Sequence, residues 1–411
     1  MEEASASSLC NDVPNLLSFF IDTFVDFSVS GLFLLPPPSP PVENPNFASV
    51  SEPSSPLSRF VPALQTRLPS PDRLIAIGDL HGDLEKSKQA FRLAKLIDES
   101  DRWIGGSTTV VQVGDVLDRG GEELKILYLL EKLKRQAARS GGTIITMNGN
   151  HEIMNVEGDF RYVTRPALDE FKVWADWFCL GNKMKSLCRG LEKPKDPFEG
   201  IPSAFRGVKE EFFDGFKARI AALRPNGPIS SRFLSQNVTV LVVGDSIFVH
   251  GGLLPQHVTH GLERINEEVR DWINGLSGRR SPAYCRGREG LVWSRKFSNE
   301  SAQNCDCSAL EHVLSTIPGA KRMIMGHTIQ DVGINGVCDN RAIRIDVGMS
   351  KGCINGLPEV LEIEGKRSGL RILTSNPLHQ NNNSSSVGME KDEGLGLLVP
   401  ENQPKQVEVK A

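Results

Sequence analysis

Short apolar runs alternate along the chain with amphipathic segments, and this alternation predicts strands followed by helices. The first run, Leu74–Ile77, predicts a buried strand, and Leu84–Ile97 after it carries apolar residues at helical spacing. Further strands are predicted at Val110–Val113, Ile144–Met147, Val238–Val243, Ser246–Val249, Met323–Met325 and Ala342–Ile345. Further helices are predicted near Glu122–Arg139, Leu168–Cys179, Lys209–Leu223, Leu262–Gly275 and Ser308–Ile317. Strands that alternate with helices in this way are typical of an α/β fold.

One large domain is predicted over residues 68–375, between two tails. Residues 1–67 are rich in Pro and Ser and predict a disordered N-terminal tail, because this composition favours extended chain over a packed core. Residues 376–411 are rich in Asn, Ser, Gly and Lys and predict a second disordered tail. Within the domain, residues 160–235 have a mainly helical pattern, so we interpret them as a helical insertion.

Charge and apolar content disfavour two classes of partner. The 411 residues include 47 basic and 51 acidic ones, for a net charge of −4. The basic residues form no block along the sequence, so nucleic acid is not an expected partner. The apolar stretch Leu16–Leu35 is interrupted by Asp22 and Asp26, each costly at a bilayer centre, so a membrane span is not expected. A loose amphipathic helix or a disordered apolar tract is the expectation for this stretch. The first basic residue is Arg59, which argues against an Arg-rich transit peptide and a secretory signal. We expect a cytoplasmic protein, with the mitochondrial intermembrane space as the alternative.

The chain has 8 cysteines, and no two of them form a Cys-x-x-Cys motif of the zinc or redox type. We therefore expect reduced thiols. In an oxidising compartment, Cys305 with Cys307 and Cys179 with Cys188 are the pairs that the spacing suggests.

Five polar motifs follow directly after predicted strands. They are Gly78-Asp79-Leu80-His81-Gly82-Asp83, Gly114-Asp115-Val116-Leu117-Asp118-Arg119-Gly120, Gly149-Asn150-His151-Glu152, His250-Gly251-Gly252 and Gly326-His327. Side chains at the carboxyl ends of strands converge on one edge of an α/β fold, so these motifs are expected to form one site. A single motif of this kind would be an ordinary turn with a capping residue. Five in order indicate a shared chemical function.

The residue types in these motifs predict a centre of two divalent metal ions. Two cations assist the hydrolysis of a phosphate monoester by generating hydroxide at neutral pH and by neutralising the transferred group. Asp79 and His81 are placed to bind one ion, and Asp115 is suited to bridge both. Asn150, His250 and His327 are predicted to complete the second ion's coordination. Mixed nitrogen and oxygen ligands suit Mn, Fe or Zn better than Ca.

Three further residues are candidates for handling the substrate. Arg119 offers a planar fork for bidentate contact with phosphate oxygens, so we predict that it binds substrate. His151 follows candidate ligand Asn150, and from that position we expect it to face away from the metals and to protonate the leaving oxygen as general acid. Asp118 is the expected partner that orients His151 and raises its pKa, with Glu152 as the alternative partner.

These motifs resemble the metallophosphoesterase superfamily, and specifically the phosphoprotein phosphatases with their GDxHG, GDxxDRG, GNHE and HGG signatures. The runs Asn155–Tyr162 and Arg344–Ser350 are similar to the plant-type Shewanella-like protein phosphatases, in their second, non-chloroplast group. The resemblance covers about residues 68–375 and implies a metallophosphoesterase αβ-sandwich of two mixed sheets flanked by helices. It also implies a Mn/Fe/Zn-type dinuclear centre and one-step hydrolysis by a metal-bridging hydroxide, without a phosphoenzyme.

The family's second phosphate-binding arginine has no clear match in this sequence. Arg286, Arg288 and Arg295 surround Trp293, and Arg295 is the preferred candidate because it replaces an acidic residue beside that tryptophan.

The substrate is expected to be a phosphoprotein. Trp174, Trp177 and Phe178 share one predicted helix face, which ordinarily means core packing. If they line the site instead, an aromatic leaving group would stack there and phosphotyrosine would be preferred. The alternatives are a phosphoserine/threonine phosphatase, a dinucleoside tetraphosphate hydrolase and a metal-binding scaffold without turnover.

Overall fold

The computed structural model describes residues 17–27, 64–186, 195–365, 369–374 and 389–393. Its strands are β1 (Arg67–Leu68), β2 (Arg73–Ile77), β3 (Thr109–Gln112), β4 (Thr143–Thr146), β5 (Val240–Val243), β6 (Ser246–Val249), β7 (Arg322–Met325), β8 (Asn335–Val337), β9 (Ala342–Arg344), β10 (Glu359–Glu364), β11 (Gly369–Thr374) and β12 (Met389–Glu393). Its α-helices are α1 (17–27), α2 (Leu84–Leu93), α3 (Glu123–Arg139), α4 (Asn150–Glu157), α5 (Arg165–Ser186), α6 (Phe213–Leu223), α7 (Pro228–Arg232), α8 (Pro255–His260), α9 (Leu262–Ile273) and α10 (Cys307–Thr316).

Two six-stranded mixed sheets form the centre of the molecule. One sheet has the strand order β1-β5-β6-β7-β9-β8, and the other has the order β12-β11-β10-β2-β3-β4. In the second sheet β2, β3 and β4 are parallel neighbours, and in the first β6 and β7 are parallel neighbours. The predicted α/β fold class, with two mixed sheets flanked by helices, is confirmed.

The apolar runs identify the central strands well, because these strands are buried on both faces. Every residue of β5 and of β6 is buried, and β6 has the predicted bounds. The predicted helix Leu84–Ile97 ends earlier, at Leu93. Lys95 takes a left-handed conformation with φ of 53° and turns the chain, after which Ile97 pairs with Trp103 in an isolated bridge.

Helix α1 lies inside the predicted tail of residues 1–67, so residues 17–27 follow the amphipathic-helix alternative and not the disordered one. Ile21 and Val25, one helical turn apart, are only 2% and 7% exposed and join the main core. Their neighbour is Gly181 of α5, where a Cβ atom would lie 2.6 Å from Cγ2 of Val25. An apolar pair at helical spacing therefore docks this segment on the insertion.

The two acidic residues that interrupt the apolar stretch anchor α1 instead of leaving it in solvent. Asp26 accepts two hydrogen bonds from the fork of Arg232, at 2.7 and 2.8 Å, and a third from the hydroxyl of Tyr128 at 3.2 Å. Asp22 forms an ion pair with Lys185 of α5. None of the helices that the structure describes is long and apolar enough to cross a membrane.

The C-terminal tail prediction is also wrong in part. Residues 389–393 form β12, which pairs in parallel with β11 at the edge of its sheet. Backbone hydrogen bonds to an open sheet edge provide order that composition does not reveal. The remaining residues of the predicted tail 376–411 lie outside the described residues.

The insertion is helical, with α5, α6 and α7 inside residues 160–235. Its aromatic residues pack against one another. Trp174 is 1% exposed and stacks on Phe178 with ring centroids 5.0 Å apart, and Trp177 meets Phe24 of α1 edge-on at 5.6 Å. These three aromatic residues therefore belong to the packing of the insertion.

One disulfide joins Cys307 at the start of α10 to Cys338 in the β8–β9 turn. The expectation of reduced thiols is wrong for these two residues, and the pair suggested by spacing, Cys305 with Cys307, does not form. Sequence spacing did not reveal the true pair because 31 positions separate its members. The other suggested partner, Cys188, lies outside the described residues.

Candidate metal centre

The six residues predicted as metal ligands form one buried cluster. They are Asp79, His81, Asp115, Asn150, His250 and His327. They follow β2, β3 and β4 of one sheet and β6 and β7 of the other. Because β2, β3 and β4 are parallel neighbours, and so are β6 and β7, their carboxyl ends direct all six residues to one place.

Asp115 lies at the centre of the cluster. Its Oδ2 atom is 3.2 Å from Nε2 of His250 and 3.6 Å from Nε2 of His81. The carboxylate of Asp79 lies 4.0 Å from each of these imidazoles. Two sets of donor atoms, each within 4.8 Å of one another, share Asp115: His81 with His151, and His250 with His327. Asp115 thus has the position of a residue that bridges two ions.

Asn150 joins the second set through its side-chain oxygen. Its Oδ1 atom lies 2.9 Å from Nε2 of His250 and 2.7 Å from Nδ1 of His327. An amide oxygen between two imidazole nitrogens adds a neutral oxygen donor to this side of the cluster.

Backbone carbonyls fix which nitrogen of each imidazole faces the cluster. Nδ1 of His81 lies 3.0 Å from the carbonyl of Leu117, and Nδ1 of His250 lies 3.0 Å from that of Val113. In His327 the ring is reversed, with Nε2 3.1 Å from the carbonyl of Trp293. A protonated nitrogen that donates to a carbonyl leaves the other nitrogen unprotonated, as metal binding requires.

The backbone around the cluster adopts conformations that are costly for residues other than glycine. His81, Asp115, Asp118 and His327 have φ values of 42°, 56°, 69° and 67°. Such strain persists only where surrounding contacts enforce it, and it concentrates at functional sites. The strained backbone conformations at these residues therefore orient their side chains toward the cluster at a cost in stability.

Two glycines permit the close approach of the motifs. A Cβ atom at Gly149 would lie 2.1 Å from Oδ1 of Asp115, and one at Gly326 would lie 2.3 Å from Oδ1 of Asp79. Any side chain at either position would displace a central carboxylate. This explains why a glycine precedes both Asn150 and His327.

The charges in the cluster suit a pair of divalent cations. Burial raises the pKa of Asp79, and repulsion from Asp346 and Asp115 holds it well above its usual range. Burial would also raise the pKa of Asp115, but the imidazoles of His250, His151 and His81 together outweigh it and hold that pKa well below the usual range. Burial lowers the pKa of His81 to about 3, which keeps this imidazole neutral. Imidazole nitrogens and crowded carboxylate oxygens are the donor types of a first-row transition-metal site.

His151 lies in the cluster, which corrects the expectation that it faces away from the candidate ligands. Its Nε2 atom is 3.8 Å from Oδ2 of Asp115, and its Nδ1 atom is 2.6 Å from Oδ2 of Asp118. Burial lowers the pKa of His151, but the Asp115 carboxylate and the hydrogen bond to Asp118 raise it above the ordinary value. The imidazole thus has an anchored Nδ1 and an Nε2 directed at the reaction centre.

Glu152, the alternative partner for His151, has a different position. Its carboxylate accepts hydrogen bonds from the backbone N–H groups of Asp115, Val116, Leu117 and Gly149, at 2.7–3.1 Å. Four donors on one buried carboxylate hold the Asp115 loop against the start of α4. Glu152 therefore shapes the site through the backbone, and the structure pairs His151 with Asp118.

The two candidate substrate-binding arginines lie at different depths. Arg119 stacks over the ring of Tyr162 at 5.0 Å, and its buried Nε has no hydrogen-bond acceptor among the residues that the structure describes. Such an unsatisfied donor is suited to an incoming anion. Arg295 is exposed. The pKa of His327 is held well below its usual range, first by burial and then by the positive charges of His250 and Arg295, so Arg295 lies at the rim of the cluster.

Sequence reasoning missed two charged residues at the site. Asp346 follows β9 and repels Asp79; its position after a strand was an available signal. Arg219 comes from α6 of the insertion and donates a 2.9 Å hydrogen bond to Oδ1 of Asp118, 101 positions away in the chain. No local motif marks Arg219, so only the packed structure reveals it.

Comparison with known proteins agrees with the geometry. Residues 72–330 match the family model described as calcineurin-like phosphoesterase. The chain is 66% identical to Shewanella-like protein phosphatase 2 of Arabidopsis thaliana, over 98% of each chain. It is 29% identical to Shewanella-like protein phosphatase 1 of Plasmodium berghei, over 68% of this chain and 67% of that one.

A solved structure shares the fold. The cold-active protein tyrosine phosphatase of a psychrophilic Shewanella species aligns with a TM-score of 0.54 and 18% sequence identity, covering 75% of this chain and 82% of that chain.

Proposed function

Because the chain belongs to the calcineurin-like phosphoesterase family and, within it, to the Shewanella-like protein phosphatases, we propose that it removes phosphate from phosphoproteins and prefers phosphotyrosine. It is a metal-dependent hydrolase by family. The observation that carries the detailed proposal is that two sets of donor atoms share Asp115, with Nε2 of His151 3.8 Å from it.

Six residues of the cluster would hold the metals: Asp79, His81, Asp115, Asn150, His250 and His327. Two divalent cations bound there would supply an activated water and neutralise the phosphoryl group. Two such ions carry +4 and the two aspartates carry −2, so the net +2 complements a phosphate dianion. Mn, Fe and Zn fit the nitrogen and oxygen donors, and the identity of the pair belongs to the proposal.

The chain's own groups would bind the phosphate and handle one proton. Arg119 would direct its unsatisfied Nε to a phosphate oxygen, with Arg295 as a second contact from the rim. His151 would donate the proton on Nε2 to the leaving oxygen as the P–O bond breaks, while Asp118 holds Nδ1.

The preference for phosphotyrosine is supported by Tyr162. Its side chain is 39% exposed, and its ring lies 5.0 Å from the His151 ring and 5.0 Å from the Arg119 guanidinium. An aromatic leaving group would contact this ring at the point where His151 meets the leaving oxygen. Solved structures that share the fold are those of cold-active protein tyrosine phosphatases, which accords with the proposal.

The test is hydrolysis of matched peptides that carry phosphotyrosine, phosphoserine or phosphothreonine at the same position, with added Mn²⁺. We expect the highest kcat/KM on phosphotyrosine. Tyr162→Ala should reduce the ratio of kcat/KM on phosphotyrosine to kcat/KM on phosphoserine. Tyr162→Phe is the matched control, because it keeps the ring. Equal kcat/KM on all three peptides would refute the preference. Cleavage of diadenosine tetraphosphate alone would replace the phosphoprotein proposal.

We also propose that the protein works in an oxidising compartment, the mitochondrial intermembrane space being the one expected as an alternative above. The Cys307–Cys338 disulfide supports this, since disulfides persist in oxidising compartments and are rare in the reducing cytosol. Fractionation with protease protection, and thiol alkylation before and after reduction, test it. Reduced cysteines in a cytoplasmic fraction would contradict it.

A further inference from the structure

Arg219 is a fully buried arginine that the helical insertion inserts behind the catalytic cluster. Its side chain has 0% exposure. Nη2 donates to Oδ1 of Asp118 at 2.9 Å, Nη1 to Oε2 of Glu123 at 2.7 Å and Nε to Oδ1 of Asn155 at 2.8 Å. Each side of the guanidinium fork thus has its own acceptor, in a geometry that lysine cannot reproduce.

Aromatic rings hold the guanidinium in place. The ring of Phe171 lies 4.7 Å from Cζ of Arg219, and that of Phe160 lies 5.5 Å away. Phe171 belongs to α5 and Phe160 to the turn after α4. The two rings and the three hydrogen bonds together fix the orientation of the Arg219 guanidinium.

The two oxygens of Asp118 have separate partners. Oδ2 lies 2.6 Å from Nδ1 of His151, and Oδ1 accepts the hydrogen bond from Arg219. The backbone N–H of Asp118 donates to Glu123, which also pairs with Arg219. Arg219 therefore sets the rotation of the Asp118 carboxylate, and through it the plane of the His151 imidazole.

We propose that Arg219 is a positioning residue for the general acid: it holds Asp118 so that Nε2 of His151 points at the leaving oxygen. This inference rests on the proposed function. It gives the insertion a part in catalysis, because α6 supplies the group that orients the proton donor. Without it, Oδ1 of Asp118 loses this hydrogen bond, and the carboxylate and the imidazole that it contacts are held less rigidly.

The test compares two substrates with different needs for the acid. A phosphoserine peptide has an alkoxide leaving group that requires protonation, whereas p-nitrophenyl phosphate has a leaving group that departs without it. For Arg219→Met we expect kcat on phosphoserine to fall about 10- to 100-fold, part of the roughly 10²–10⁴-fold that general acids contribute. On p-nitrophenyl phosphate the fall should be under about threefold, with KM within about twofold on both substrates.

A double-mutant cycle with Asp118→Asn separates positioning from general damage. If Arg219 acts through Asp118, Arg219→Met should cost less than about twofold further in the Asp118→Asn background. Arg219→Lys keeps the positive charge and tests the proposal if the Met variant fails to fold; it should show the same substrate dependence with a smaller loss.

Arg232→Met is the matched control. Arg232 is another arginine of the insertion, and it pairs with Asp26 and Glu131, neither of which belongs to the cluster. Its loss should lower stability without changing the ratio of the two substrates. Equal losses on both substrates for Arg219→Met and Arg219→Lys, or losses additive with Asp118→Asn, would overturn the inference. A wild type that hydrolyses neither substrate would instead refute the proposed function.

Discussion

The docking of α1 on the insertion can be tested by a single added methyl group. In Gly181→Ala the new Cβ atom would lie 2.6 Å from Cγ2 of Val25, against about 3.5–4.0 Å for a normal carbon contact. One of the two atoms must move by about 1 Å, and β-branched valine has little rotamer freedom to do so. The change therefore presses α1 away from α5.

The expected cost is that of overpacking, about 1–3 kcal/mol. The helix propensity that alanine adds to α5 does not offset it, because α5 stays helical whether α1 is docked or open. For one added methyl group we expect a loss of about 1–2 kcal/mol in α1 docking, which is roughly a tenfold rise in its opening equilibrium. Hydrogen exchange of a peptide that covers residues 17–27 measures this directly.

Val25→Ala supplies the decisive comparison. Alone, it should weaken docking by about 2 kcal/mol through lost burial. With Val25 shortened, the next contact of a Cβ atom at position 181 is Cγ2 of Ile21 at 3.5 Å, an ordinary distance. The double variant should then be no worse than Val25→Ala, a favourable coupling of about 1–2 kcal/mol. Unchanged protection of residues 17–27 in Gly181→Ala would refute the docking described here.

Four further predictions concern the site and the core. Asp115→Asn should abolish hydrolysis and lower the metal-to-protein ratio, measured by elemental analysis; a full metal complement would contradict its bridging position. His151→Asn should slow alkyl phosphates about 10²–10⁴-fold and activated aryl phosphates much less; equal losses would remove the general-acid role. Burial lowers the pKa of Lys134 to about 8 from 10.5, so the unfolded chain holds a proton that the folded chain has lost, and stability rises with pH across this window. Lys134→Met should remove that rise and should increase the free energy of unfolding by about 2 kcal/mol at pH 7, a value discounted for partial exposure. If urea titrations show that the free energy of unfolding of the variant depends on pH as in wild type, the prediction is wrong. Cys338→Ser should lower the free energy of unfolding by about 3 kcal/mol, because the disulfide closes a loop with a separation of 31 residues; reduced wild type should match the variant, and oxidised wild type of equal stability would refute the contribution.

The strands and the candidate ligands could be predicted because their signals are local. Apolar runs such as Ser246–Val249 identify strands buried on both faces, and the residue that follows a parallel strand must lie at the carboxyl edge. The sequence alone therefore predicts that Asp79, Asp115 and Asn150 belong to one site.

Contacts between segments that are distant in sequence are determined only by the tertiary structure. Arg219 lies 101 positions from Asp118, Asp26 lies 206 positions from Arg232, and Cys307 bonds to Cys338 across 31. None of these pairs has a sequence period or spacing that distinguishes it, since any buried charge or thiol could take several partners. The partner is selected when helices dock and leave one acceptor within reach, which is why the candidate metal ligands could be predicted from the sequence and Arg219 could not.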